Sequence, residues 1–135
     1  MDGFVVEPIP REPAALRELT TIDWNLEELL ERVEGDRQLM LELLGMFRND
    51  SPNTMEMARE ALRRGDLHGL SRVAHGMKGM LKNLAMGTGS EIAGALEKAA
   101  GEESLGEVEA LLQRLERALA QIMPEVEAQM TGVKA

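Results

Sequence analysis

The chain has no cysteine and only three aromatic side chains, one tryptophan and two phenylalanines, among 135 residues. Without cysteine there are no disulfides and no thiolate chemistry, and nothing points to an oxidising compartment. With so few aromatics, a buried core has to be built from leucine, alanine and the ten methionines. No apolar run approaches the length of a membrane span. The opening residues Met1 to Val6 carry neither a basic region nor an apolar run of signal length. These absences lead us to expect a cytoplasmic chain with no membrane partner. Basic residues are also scarce, 15 against 24 acids for a net charge of -9. Nucleic acid is a poor partner for such a chain, because duplex binding rests on cations at phosphates. The length suits one domain that buries about two thirds of its unfolded surface.

What is present centres on residues 67–84. Leu67, Leu70, Ala74, Met77, Leu81 and Leu84 recur at steps of three and four, the stripe of a helix buried along one side. His68, Ser71, Arg72, His75, Lys78, Gly79 and Lys82 then fall on the other face, with His75 among cations one or two turns away. Between Leu67 and Ser90 the chain has Arg72, Lys78 and Lys82 and no acid, so a locally positive face on an acidic body is expected. A neutral imidazole held in water is a nucleophile that can accept a phosphoryl group. Lys78, one turn on, is placed to donate hydrogen bonds to phosphoryl oxygens. Gly69, Gly76 and Gly79 forgo roughly 2 to 3 kcal/mol of helix propensity, which suggests close approach of another molecule or helix.

The run Ala74-His75-Gly76-Met77-Lys78-Gly79, followed by Asn83-Leu84, resembles the signature of histidine-containing phosphotransfer (HPt) domains. The resemblance extends over roughly 22–122. It includes Leu29 to Asp36, Met46-Phe47, Ala61 to Asp66 and Leu96-Glu97, where the family closes its next helix. It implies that His75 is the phospho-accepting residue, Lys78 contacts the phosphoryl group, and Gly79 keeps space beside the imidazole. Arg72 and Lys82 would add balancing charge and Gly76 further room for close approach. The implied partners are response-regulator receiver domains or a hybrid sensor histidine kinase. The receiver would contribute its aspartate and magnesium ion, and this chain would need no cofactor, no metal and no catalytic machinery of its own. Three positions depart from the family: Ala85 stands where many relatives have glycine, Gly89 stands where they have an apolar first-turn residue, and Met80 replaces a small residue. Met80 either offers an apolar contact to a partner or fills core.

The rest of the chain reads as helices. Residues 1–21 carry Pro8, Pro10 and Pro13 and are expected to form an extended arm with a possible short helix. Asp23 is the expected cap of a short helix, with Trp24 anchoring it across the bundle. A longer helix from Asp36, buried through Met40, Leu43, Leu44 and Phe47, passes Ser51-Pro52 as one kinked rod or two nearly collinear ones and stops at Gly65. Asp66 caps the His75 helix. Gly87 and Gly89 are expected to delay the next helix, which Thr88 to Glu91 opens as a capping box, and Ser104 to Glu107 repeats the pattern. Leu105, Val108, Leu112, Leu115, Leu119 and Ile122 stripe the last helix, which Pro124 ends or kinks, leaving 124–135 as a frayed tail. The expected architecture is all-α: an antiparallel up-and-down four-helix bundle over 22–123, with a short additional N-terminal helix over one end. A polar outer surface favours a monomer.

Two other functions compete with a phosphocarrier. One is an adaptor that binds receivers or kinases through the same face without phosphorylation. The other is a metal-carboxylate bundle, which needs Glu-x-x-His pairs. The residues three before His68 and His75 are Gly65 and Arg72, so that pattern is missing. His68 reads as an ordinary surface residue, about 10 Å along the axis from His75 and too far to share a metal with it.

Overall fold

The computed structural model describes residues 23–132, so the expected N-terminal arm over 1–21 lies outside the described residues. Five helices follow in order: α1 (Leu26–Arg32), α2 (Arg37–Arg63), α3 (Leu67–Asn83), α4 (Gly87–Gly101) and α5 (Leu105–Thr131). Three starts are set by side-chain caps. Asn25, Asp36 and Asp66 each accept a backbone N–H three residues on, from Glu28, Leu39 and Gly69, which satisfies one of the free donors of the first turn. The residue capping α1 is therefore Asn25, not Asp23.

The apolar stripes decide how the helices pack. In α2, Met40, Leu44, Phe47, Ser51, Met55, Ala58 and Ala61 are buried in one continuous line, which carries straight through Pro52. Pro52 lies on the exposed side, where water can take up the Arg48 carbonyl that a proline nitrogen leaves without a donor. In α3 the buried set is Leu70, Ala74, Met77 and Leu81. Helix α3 packs against α2 and α4, and α5 closes the ring against α4 and α2. Consecutive helices joined by short turns are neighbours in that ring, the up-and-down bundle expected from the pattern. Full burial of each large apolar side chain, such as Leu44, Phe47 or Leu81, contributes on the order of 1.5–3 kcal/mol.

Helix α1 sits at the end carrying the α3–α4 turn. Trp24 Nε1 donates to the Leu84 carbonyl at 2.9 Å, the Asn25 N–H donates to the Ala85 carbonyl at 3.0 Å, and Trp24 and Met86 form an antiparallel bridge. Trp24 is thus an anchor, as its isolation suggested.

Several local expectations fail. The α4 helix is not delayed by its glycines. Ala85 adopts a left-handed φ of 61°, which turns the chain sharply enough for α4 to start at Gly87. Thr88 does not cap that helix; its hydroxyl accepts the Asp23 N–H at 2.9 Å instead. Ser104 occupies the cap position of α5 without a side-chain cap bond. The segment after Pro124 is not frayed up to Thr131. Val126 and Ala128 are buried, Arg48 pairs with Glu127 at 3.2 Å, and Met130 packs over Gly45 of α2. The apolar phase outlasts the proline, so the helix does too. Leu105, in contrast, is 52% exposed and lies outside the core.

Left-handed backbone costs a residue with a Cβ roughly 1–2 kcal/mol. Glu103 has φ 58° and is exposed, so Glu103→Gly is expected to raise stability by about 1 kcal/mol. Ala85→Gly should be close to neutral, because the relief is offset by loss of a buried methyl worth about 0.8 kcal/mol. Denaturant unfolding of the two variants checks this pair.

Candidate functional site

Burial of the α3 stripe turns His75 outward, with its side chain 68% exposed. It is not solitary. Its Nδ1 lies 2.9 Å from Oε2 of Glu97 on α4, and the other oxygen, Oε1, lies 2.8 Å from Nζ of Lys78. One carboxylate therefore joins the histidine and the lysine one turn beyond it. An ionised carboxylate only accepts hydrogen bonds, so Nδ1 carries the hydrogen it donates. In the neutral ring that leaves the Nε2 lone pair directed away from Glu97.

The α3–α4 seam holds this trio in register. Ser71 Oγ donates to the backbone carbonyl of Glu97 at 3.1 Å, and Ser90 Oγ donates to the carbonyl of Lys78 at 3.2 Å. Each hydroxyl ties one helix to the backbone that carries a site residue on the other. Gly94 provides the room: a Cβ there would stand 3.1 Å from Cδ of Lys78, so the lysine stem lies across a bare stretch of α4. The Lys78 ammonium, foremost, and then the His75 hydrogen bond hold the Glu97 carboxyl below its ordinary value, against the opposing effect of partial burial.

The remaining expected site residues are placed differently. Arg72 and Lys82 are exposed, and among the described residues their side chains have no hydrogen bond or ion pair, to His75 or to anything else. Gly76 and Gly79 face open space, with nothing within 4 Å of a Cβ built on either. Among the described residues nothing stands close enough to require Gly79 to be small, whereas Gly69 is hemmed in by the Asp66 cap. Met80 fills core on one side and is open on the other. It is half-buried against the core, and it lines a shallow hollow of about 250 Å³ with Leu43, Met46 and Phe47 of α2. The outer surface is also not polar throughout: Met46 and Met57 are 60% and 54% exposed.

Glu97, Ser71, Ser90 and Gly94 were not recognised as site residues from the sequence. The segment around His75 lacks acids, and the acid that reaches it comes from the next helix. No spacing rule within one helix links positions so far apart. Ser71 on α3 and Ser90 and Gly94 on α4 leave a trace that is visible once α3 and α4 are known to pack face to face.

Two measurements test this geometry. Nitrogen-edited NMR of the neutral His75 ring should find the proton on Nδ1, and Glu97→Ala should shift it toward the mixture of a free imidazole. Because the folded-state pKa of Glu97 is depressed, its stabilising contribution is complete above the ordinary value of 4.5 and is lost as pH falls through the lower folded value. The stability gap between wild type and Glu97→Gln, followed by acid titration of unfolding, should therefore close on the acid side of that range.

Among the described residues no helix is long and apolar enough to cross a membrane, and no cluster of three metal-ligating side chains occurs. No curated protein and no solved structure matches the chain. A family model described as the Hpt domain matches residues 42–129. The match spans more than half of the chain and takes in α3 with His75 near its middle, and the chain belongs to the Hpt domain family.

Proposed function

We propose that this chain is a phosphorelay intermediate in which His75 accepts a phosphoryl group from a receiver-domain aspartyl phosphate and passes it to another receiver. Hpt domains carry phosphoryl groups in two-component relays and interact there with receiver domains and kinases. The observation that carries the reading to these residues is the open Nε2 of an exposed His75 whose Nδ1–H is held by Glu97.

The chemistry follows from that arrangement. The Nε2 lone pair attacks phosphorus, the P–N bond forms, and the P–O bond to the aspartate breaks to release its carboxylate. No proton has to leave the ring. The hydrogen stays on Nδ1, so the phosphorylated ring carries positive charge beside the Glu97 carboxylate. That charge also keeps the ring a good leaving group for onward transfer to a second carboxylate, which reverses the same bond changes. Lys78 lies within one turn of His75, and a phosphoryl group on Nε2 would compete with Glu97 for its ammonium. Arg72 and Lys82, free of internal partners, would add balancing charge. Gly76 and Gly79 leave the helix surface flat beside the acceptor, which suits a partner that must bring an aspartate to it.

The test is transfer from a phosphorylated receiver domain to the full chain, read by mass spectrometry at mildly alkaline pH, where phosphohistidine survives. His75→Gln should abolish labelling while the helical signal and unfolding midpoint stay close to wild type. Lys78→Ala should slow transfer by about 10- to 100-fold, the range expected for loss of one charge-assisted contact in a transition state. Full labelling of the His75→Gln protein would end the assignment. Binding of receivers without any transfer would leave the adaptor reading in its place.

A further inference from the structure

A groove of about 650 Å³ runs between the second half of α2 and the first half of α3. Its apolar lining is Met57 and Ala61 from α2 and Val73 from α3, with bare Gly69 beside them. Met57 is 54% exposed, so the lining is open to solvent there, while Ala61 is buried. Two arginines also face the groove, Arg64 and Arg72.

The charges lining the groove differ in how far they are engaged. Its acids are already engaged. Glu56 bonds Arg59 and Arg63, Glu60 bonds Arg63, and Asp66 accepts the Gly69 N–H. The arginines of the opposite side of α2 are engaged as well: Arg48 pairs with Glu127, and Arg59 with Glu116. Arg64 and Arg72 have no such partner among the described residues. An apolar floor with two unsatisfied guanidinium groups fits an acidic group flanked by an apolar side chain. The location adds a constraint. Arg72 is one turn before His75, roughly 4.5 Å along the axis, so any domain that covers Nε2 of His75 also reaches this end of the groove.

We infer that the Met57–Arg64–Arg72 groove is a second contact for the receiver partner, holding an acidic, apolar-flanked segment of it while its aspartate meets His75. The inference rests on the receiver reading of His75. In this arrangement the groove selects which receivers dock, and the His75 trio handles the phosphoryl group whichever receiver is present. Rim cations of this kind act mainly on association rate and partner choice.

The experiment uses the full chain and a panel of purified receiver domains, with binding and phosphoryl transfer measured separately at low and high salt. Arg64→Glu and Met57→Ala are the probes, Arg64→Lys is the conservative control, and labelling by phosphoramidate reports His75 chemistry without a docked protein. Expected are a loss of binding of about tenfold or more for Arg64→Glu, and a smaller loss for Met57→Ala. Arg64→Lys should stay near wild type, the salt dependence should be shallower in Arg64→Glu, and phosphoramidate labelling should not change. Wild-type binding by both Arg64→Glu and Met57→Ala would overturn the groove and leave the carrier reading intact. Binding that depends on Arg64 with no transfer in any pairing would support the groove and overturn the carrier reading. If no receiver binds, or if Arg64→Glu instead abolishes self-association of the chain, the groove does not serve a receiver and the inference fails.

Discussion

The contact on which the site depends is the bridge made by one carboxylate, Glu97, between Nδ1 of His75 and Nζ of Lys78. An exposed imidazole left to itself samples both tautomers and many ring orientations. A hydrogen bond from Nδ1 to an anion restricts both, and it does so without covering Nε2. The same carboxylate keeps the Lys78 ammonium close to the imidazole. Net charge in the trio is near zero when His75 is neutral, which limits the cost of holding a half-buried acid at the α3–α4 seam.

The bundle's contribution is to hold two helix faces at a fixed height relative to each other. Buried leucines, methionines and alanines supply the adhesion, and two serine hydroxyls set the register on either side of the bridge. The end of the bundle that carries the α3–α4 turn is closed by Trp24 and the segment before α1. Helix packing alone tolerates small slides, but a hydroxyl bonded to the carbonyl of a site residue does not. The site is thus built from elements that the core already makes rigid.

Much of this was legible in the residues. The alternating three- and four-residue steps of α3 placed His75, Arg72 and Lys82 outward, Asp66 and Asp36 marked helix starts, and the four-helix ring followed from stripes and short turns. The parts that were not legible share one cause: they depend on what lies across from a residue, not along the chain from it. Glu97 is invisible as a partner of His75 until α3 and α4 are docked. Thr88 satisfies the local capping pattern, yet its hydroxyl serves Asp23 from a distant segment. Pro124 is a local stop signal that the buried Val126 and Ala128 override, and Ala85 takes a backbone conformation that its side chain disfavours because the turn requires it.

The central claim is that Nε2 of His75 is the atom that bonds to phosphorus, with the hydrogen kept on Nδ1 by Glu97. Phosphorus and nitrogen NMR of the nitrogen-labelled wild-type protein, phosphorylated by a receiver domain and held at mildly alkaline pH, tests it most directly. The account predicts a single phosphohistidine, coupled through Nε2 of His75, whose Nδ1 remains protonated against Glu97. Phosphorus bonded to Nδ1, or carried by His68 instead, would contradict it.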